Sequence, residues 1–252
     1  MKILCLHGYR SDAKSFRIRT GSVRKVFKKY AELLYVNATI PLVDPSVSCF
    51  GYWTRSDDDT FLGLEQSVLS VISELRSYNE KGTPVKGLLG FSQGAVVAAI
   101  VAGLSSAPVN TPAANYWESV ASDVPRLEAV LIFSGFVPLF NTFVDSSNLF
   151  TLALQYLFPI SSPEVFERTC DGEVSTAISI LTGGVVDTPT IPLISLHCYG
   201  QTDQQIPWQS SALLSKYFSR VNLIEHSGGH FVPSACKDDY ARFFETVFLK
   251  LN

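Results

Sequence analysis

The sequence is short of charged residues and of long apolar runs, and each shortage excludes a class of protein. Only 17% of the 252 residues are charged, while 46% are hydrophobic; typical soluble domains have about 25% charged residues. A disordered chain is excluded, because disorder requires a low content of apolar residues. A membrane-spanning helix needs about 20 consecutive apolar residues. No run reaches that length, so we expect no membrane span.

The chain also lacks paired cysteines. The five cysteines are Cys5, Cys49, Cys170, Cys198 and Cys236, and no two of them form a C-x-x-C pair. This odd, scattered set argues against a disulfide framework and against structural zinc. We therefore expect a reducing compartment, the cytoplasm, and no bound metal.

No strong charge of one sign is present. Twenty Lys and Arg against 23 Asp and Glu give a net charge of −3. The basic cluster Arg24, Lys25, Lys28 and Lys29 has helical spacing and predicts a solvated helix face. Because no larger basic surface is indicated, we expect no nucleic-acid partner.

Short apolar runs alternate with helix-length segments along the chain. This alternation is typical of βαβ units with a parallel sheet, and continuously apolar strands indicate burial on both faces. The predicted strands cover residues 2–6, 32–36, 86–90, 127–133, 192–198 and 220–224. The predicted helices cover residues 15–29, 60–79, 93–104, 209–218 and 235–250.

Two stretches interrupt the alternation. Residues 105–126 are rich in Ser, Ala, Asn and Pro and predict a long surface excursion. Residues 137–190 are rich in Leu and Phe and predict a helical cap inserted between two strands. The whole chain, residues 1–252, is expected to form one α/β domain carrying this cap.

The strongest chemical signal is Gly90-Phe91-Ser92-Gln93-Gly94, a G-x-S-x-G between a predicted strand and a helix. A sharp strand-to-helix turn strains the serine and exposes its hydroxyl above the sheet. Glycines suit the flanking positions because they have no Cβ to collide where backbones approach closely. We predict that Ser92 is a nucleophile.

A serine nucleophile needs a base, and the chain has four histidines. His230 lies in a glycine-containing loop between the last strand and the last helix, where this architecture places its base. His197 is predicted to be a core residue and His7 to shape a loop, and nothing singles out His226.

The third member should be a carboxylate that holds the imidazole in the correct tautomer. Asp203 occupies a polar turn directly after the strand at residues 192–198. The order Ser92, Asp203, His230 is that of α/β-hydrolases. Asp171 and Asp187 are rivals, but both fall inside the predicted cap.

Acyl transfer also creates an oxyanion, which backbone N–H groups stabilise. The N–H of Gln93 is one predicted donor. The second is expected from the loop after the first strand, with the N–H of Tyr9 favoured. The alternative is that His7-Gly8 only ends that strand.

Eight blocks of sequence together resemble the FSH family of serine hydrolases. In chain order they are LHGYR (6–10), FR (16–17), TGSVRK (20–25), YW (52–53), GLEQS (63–67), GFSQGA (90–95), FSGF (133–136) and SGGHFVP (227–233). The resemblance implies an α/β-hydrolase fold and a triad at Ser92, Asp203 and His230. It further implies esterase or thioesterase activity without a cofactor.

These observations predict a serine hydrolase that cleaves esters or thioesters of apolar acyl groups. One alternative is an acyl-protein thioesterase or lysophospholipase, which shares the same triad logic. Another is a binding protein built on a hydrolase scaffold, which the intact nucleophile, base and acid argue against. The cap offers surface for a homodimer, although the sequence leaves the oligomeric state open.

Overall fold

The structure, a computed structural model, describes residues 1–43, 48–55, 61–138, 148–168 and 178–248. A six-stranded parallel sheet organises this part of the chain, with strand order β13-β12-β8-β7-β1-β2. The strands are β1 (Lys2–Leu6), β2 (Glu32–Val36), β3 (Ile40–Leu42), β4 (Cys49–Gly51), β5 (Thr54–Arg55), β6 (Phe61–Leu62), β7 (Val85–Phe91), β8 (Ala129–Phe133), β9 (Val137–Pro138), β10 (Ser161–Arg168), β11 (Ile178–Val185), β12 (Ile191–Gly200) and β13 (Phe218–His226). All six predicted strands are confirmed.

Helices cover both faces of this sheet, as predicted. They are α1 (Ala13–Arg19), α2 (Gly21–Phe27), α3 (Leu64–Glu80), α4 (Gln93–Ser106), α5 (Pro112–Ala121), α6 (Leu149–Leu157), α7 (Trp208–Ser215) and α8 (Lys237–Phe248). The apolar side chains of α3 to α7 form one core cluster, and those of α1, α2 and α8 form a second. Among the described residues, no helix has the length and apolar character required to cross a membrane.

The single helix predicted for residues 15–29 is wrong, because the structure has two helices there. The first begins at Ala13, where the Asp12 side chain accepts a hydrogen bond from the Ser15 N–H at 2.7 Å. Thr20 separates the two helices with φ −90° and ψ 13°. Its buried hydroxyl bonds to the Phe16 carbonyl and the Tyr35 hydroxyl, so a side-chain network fixes the break.

The helix predicted for residues 60–79 begins later in the structure than expected. Gly63 adopts a left-handed conformation with φ +83° just before α3, and Phe61 and Leu62 form β6 instead. Glycine tolerates this conformation, so the helix begins at Leu64.

The surface excursion predicted for residues 105–126 is wrong, because it contains the buried helix α5. Thr111 accepts a hydrogen bond from the Ala114 N–H at 3.2 Å and caps the helix, and Pro112 occupies its first turn. Tyr116 and Trp117 are only 3% and 1% exposed. The polar composition masked an amphipathic helix that packs against α3, α4 and α6.

The described part of the insertion between β8 and β12 is mixed, not helical throughout as predicted. In its described residues it has one helix, α6, and three antiparallel strands in the order β10-β11-β9. Leu154 and Leu157 of α6 are fully buried in the main core. Gly103 of α4 makes this approach possible, since a Cβ there would lie 2.8 Å from a Leu157 methyl group. Residues 139–147 and 169–177 of the predicted cap lie outside the described residues.

Candidate active site

Ser92 lies on a strained turn between β7 and α4. Its φ of 53° is rare for a non-glycine residue, and such strain concentrates at functional sites. Both flanking glycines are sterically required. A Cβ on Gly90 would lie 2.4 Å from the Ala95 Cα, and one on Gly94 would lie 2.3 Å from the His7 carbonyl oxygen. The G-x-S-x-G pattern thus permits the turn and brings α4 against the end of β1.

Asp203 and His230 are hydrogen-bonded to each other. The Nδ1 of His230 donates to Oδ2 of Asp203 at 2.7 Å, and their side chains are 9% and 1% exposed. The other oxygen, Oδ1, accepts the backbone N–H groups of Gln205 at 2.8 Å and Ile206 at 2.9 Å. The carboxylate is therefore held at both oxygens. With Nδ1 donating, Nε2 of the neutral imidazole is left as the acceptor.

The loops that carry this pair are joined by backbone contacts. The Gln201 N–H donates to the His226 carbonyl at 2.8 Å, and the Thr202 N–H donates to the Gly228 carbonyl at 3.2 Å. A Cβ on Gly200 would lie 2.0 Å from that Gly228 oxygen. The loops approach so closely that only glycine fits, and this contact fixes Asp203 relative to His230.

The environment of Asp203 favours its ionised form. Burial raises the pKa of this carboxyl, but the hydrogen bond and charge of His230 and the N–H groups of Ile206 and Gln205 lower it. The net result is a pKa below the ordinary value. Of the rivals, Asp187 is exposed, and Asp171 lies outside the described residues.

The imidazole of His230 lies beside the nucleophile turn. Its ring centroid is 4.7 Å from that of Phe91, the residue directly before Ser92. Ser92 itself is only partly buried. Side chains from the ends of β7, β12 and β13 thus meet at the carboxyl edge of the sheet, where open α/β sheets bind ligands.

The loop after β1 lies against Ser92. A Cβ on Gly8 would lie 3.3 Å from the Ser92 Cβ. His7 is fully buried; its Nδ1 lies 2.7 Å from the Gly8 carbonyl, and its Nε2 accepts the Ala38 N–H at 3.0 Å. Nδ1 must then carry the proton and donate to Gly8. Because a trans peptide points its C=O and N–H in opposite directions, this bond also fixes the direction of the Tyr9 N–H.

Gln93 is the first residue of α4, so its N–H has no partner within the helix. Its side chain also bonds to the segment after β4, a contact that sequence reasoning missed. No local pattern signals it, because the partners are about forty residues apart in sequence.

The remaining histidines make other contacts. His197 is 1% exposed; its Nε2 lies 3.2 Å from the Ser195 hydroxyl, and burial lowers its pKa to about 3. His226 accepts the Gly228 N–H on Nδ1 at 3.1 Å. Burial lowers its pKa, and the charge of Asp203 acts in the opposite direction.

A cavity of about 380 Å³ lies between the first turns of α3 and α6. Apolar side chains line one part of it, and polar ones line the rest: Phe61, Leu62, Leu64, Leu69 and Phe150, with Glu65, Gln66, Asn148 and Thr151. The ring of Trp53 lies 6.0 Å from Phe61 and 6.3 Å from Phe136, which follows β8. Trp53 therefore stands between the cavity and the edge of the sheet that carries Ser92. Within the described ranges, no group of three or more His, Cys, Asp or Glu residues is placed to hold a metal ion.

The chain is similar to known proteins over nearly its whole length. A model of the serine hydrolase (FSH1) family matches residues 1–240. Esterase GA18864 of Drosophila pseudoobscura pseudoobscura is 30% identical over 97% of this chain and 71% of its own length. Esterase OVCA2 of Homo sapiens is 29% identical over 97% of this chain and 96% of its own.

Solved structures show the same fold. Est1E from Butyrivibrio proteoclasticus, determined with ferulic acid bound, matches with a TM-score of 0.58 at 13% identity, covering 98% of this chain and 89% of that one. The sheet and its flanking helices are therefore an α/β-hydrolase fold. With the family match over residues 1–240, the chain belongs to the serine hydrolase (FSH1) family and is a carboxylesterase-type enzyme.

Proposed function

We propose that the protein hydrolyses carboxylic esters or thioesters of apolar acyl groups through a Ser92-His230-Asp203 triad. The observation that carries this proposal is the 2.7 Å bond from His230 to Asp203 beside a serine with φ 53°. This arrangement leaves the His230 Nε2 free to take a proton from the Ser92 hydroxyl. Asp203 holds the tautomer and stabilises the imidazolium that forms.

The reaction has two steps. The Ser92 Oγ attacks the carbonyl carbon, its proton passes to His230 Nε2, and the carbonyl electron pair moves onto oxygen. The tetrahedral species collapses to an acyl-Ser92 ester, and the leaving alcohol or thiol takes the proton from His230. Water then attacks the acyl-enzyme with the same proton transfers and releases the carboxylic acid.

Two backbone N–H groups, of Gln93 and Tyr9, are proposed to bind the oxyanion. The position of Gln93 at the start of α4 and the contact of Gly8 with Ser92 support this assignment. Such donors stabilise charge that develops only in the transition state. Removing one of them typically lowers kcat about 100- to 1000-fold.

Apolar surface near the site supports an apolar acyl group. Tyr9, Trp208 and Phe231 are 44%, 41% and 49% exposed, and each follows the end of a sheet strand on the side of Ser92. Behind Trp53 lies the cavity of about 380 Å³, a volume within the usual range for ligand sites. We propose that the acyl chain extends past Trp53 towards this cavity. Among its described residues, the insertion contributes Asn148, Phe150 and Thr151 at the start of α6 to the lining of this cavity.

A fluorophosphonate probe tests the nucleophile. We expect a single covalent adduct on the peptide that contains Ser92, detected by mass spectrometry, and no adduct in Ser92→Ala. Failure of the folded protein to form any adduct would favour a binding protein on a hydrolase scaffold.

A chain-length series of p-nitrophenyl esters tests the acyl site. Each buried methylene contributes about 0.8 kcal/mol, which predicts a rise in kcat/KM of roughly fourfold per methylene. Leu69→Trp, which fills the cavity, should reduce kcat/KM for the octanoate and leave the acetate unchanged. Equal kcat/KM from two to ten carbons would exclude the acyl site.

A further inference from the structure

The proposed oxyanion site uses only the backbone N–H of Gln93, yet the side chain of this residue makes two hydrogen bonds of its own. Its Oε1 accepts the Tyr52 N–H at 2.7 Å, and its Nε2 donates to the Trp53 carbonyl at 2.9 Å. Gln93 is 6% exposed, so both bonds lie out of solvent. A buried amide that satisfies both a backbone donor and a backbone acceptor fixes the segment it contacts, since leaving either group unpaired is costly.

The segment held by Gln93 is also paired with the loop after β1. The Arg10 N–H donates to the Phe50 carbonyl at 3.1 Å, and the Phe50 N–H donates to the Ser11 carbonyl at 2.9 Å. Residues 50–53 therefore bond to the loop that carries Tyr9 at one end and to the Gln93 side chain at the other.

Steric contact makes this connection tight. A Cβ on Gly51 would lie 3.0 Å from the Tyr9 ring and 3.5 Å from the Gln93 Oε1. The backbone at Gly51 is thus packed between the side chains of the two residues whose N–H groups are proposed to bind the oxyanion. A shift of residues 50–53 would therefore press on the Tyr9 ring and disturb the backbone bonds that join Phe50 to Arg10 and Ser11.

We propose that the Gln93 side chain is a positioning residue: by holding residues 50–53, it sets the distance between the Tyr9 and Gln93 N–H groups. The inference rests on the proposed function, since it concerns the oxyanion site of that reaction. Gln93 thereby contributes twice, with its backbone N–H at the reacting oxygen and with its side chain through residues 50–53.

The effect should appear in kcat rather than in KM, because the oxyanion exists only in the transition state. Complete loss of one donor lowers kcat about 100- to 1000-fold. A displaced Tyr9 N–H retains part of its interaction, so we expect a loss of about 10- to 100-fold.

The test compares Gln93→Met, which keeps the side-chain length but removes both hydrogen bonds, with Ser105→Ala. Ser105 is a matched control on the same helix, fully buried, with its hydroxyl accepting the Leu127 N–H at 2.8 Å. Each variant is measured for kcat and KM on p-nitrophenyl butyrate and for Ki of a trifluoromethyl ketone. This ketone adds to the serine and places an oxyanion in the same site.

We expect Gln93→Met to lower kcat about 10- to 100-fold, to change KM less than threefold, and to raise the ketone Ki in parallel with kcat. Ser105→Ala should retain wild-type kinetics. A kcat within twofold of wild type, or a lowered kcat with unchanged ketone Ki, would overturn the proposal. Should Gln93→Met fail to fold, Gln93→Glu, which keeps the acceptor for Tyr52 and loses the donor to Trp53, is judged by the same criteria.

The proposed function fails by a different result. If Ser92→Ala retained full activity, the triad assignment would be wrong regardless of the behaviour of Gln93. Loss of activity in Ser92→Ala with wild-type kinetics in Gln93→Met would overturn only the positioning role.

Discussion

Replacing Asp203 by asparagine isolates the electronic role of the carboxylate from its structural one. The two N–H groups of Gln205 and Ile206, at 2.8 and 2.9 Å from Oδ1, require an acceptor there. They orient the side-chain amide of the Asp203→Asn variant with its oxygen towards them and its NH₂ towards His230 Nδ1. The imidazole must then accept at Nδ1 and carry its proton on Nε2, the tautomer that cannot take the Ser92 proton.

The expected loss in kcat is about 10⁴-fold, the size seen for the equivalent change in a serine protease. It corresponds to roughly 5 kcal/mol of activation free energy. Because the bonds to Gln205 and Ile206 persist, the free energy of unfolding should stay within about 1 kcal/mol of wild type. Asp203→Ala removes those bonds as well and should cost about 1–3 kcal/mol, chiefly because the part-buried Ile206 N–H is left unpaired.

The assay is the initial rate on p-nitrophenyl butyrate, with Ser92→Ala as the background, together with urea unfolding of each variant. An Asp203→Asn enzyme with more than one tenth of wild-type kcat would refute the role assigned to the carboxylate. A loss of unfolding free energy as large as the rise in activation free energy would also refute it. The electronic and structural roles of the carboxylate would then not be separable.

Two further predictions concern the fold around the site. Because burial lowers the pKa of His197 to about 3, the unfolded chain binds a proton below about pH 6.5 that the folded chain does not. Because of this residue, the free energy of unfolding should fall by about 1.4 kcal/mol for each unit that the pH drops between pH 6 and 4. In His197→Leu, the free energy of unfolding measured in urea should depend less steeply on pH. An unchanged slope would contradict this. Gly94→Ala should lose about 1–3 kcal/mol of stability and most activity, because its Cβ would lie 2.3 Å from the His7 carbonyl oxygen. The control Gly21→Ala meets nothing within 4 Å and should melt within a few degrees of wild type; equal melting temperatures for the two variants would contradict the crowding argument.

The sheet was predictable because each of its strands is marked locally. Strands such as β1 and β8 are continuous apolar runs, and burial on both faces of a parallel sheet requires them. The nucleophile turn was also predictable, because contacts within the turn and with β1 require glycine at positions 90 and 94. Both glycines are visible in the sequence as part of G-x-S-x-G. Asp203 and His230, which the sequence predicts as partners, are hydrogen-bonded in the structure. Their catalytic roles are proposed above.

The parts that were missed depend on contacts between distant residues or on weak local signals. Thr111 followed by Pro112 is a helix-start signal, but the surrounding Ser, Asn and Pro outweighed it, so α5 was missed. Strand β11 pairs with β10 on one side and with β9 on the other, and no periodicity in the sequence marks that pairing. The contacts of the Gln93 side chain with residues 52 and 53 likewise join segments that only the tertiary structure brings together.

The most direct test of the central claim is to trap the covalent intermediate. Rapid acid quenching during turnover of a p-nitrophenyl ester, followed by digestion and mass spectrometry, should find the acyl group on the peptide that contains Ser92. We expect this adduct in wild type and its absence in Ser92→Ala. Acyl transfer to another residue, or full turnover by Ser92→Ala without any adduct, would contradict it.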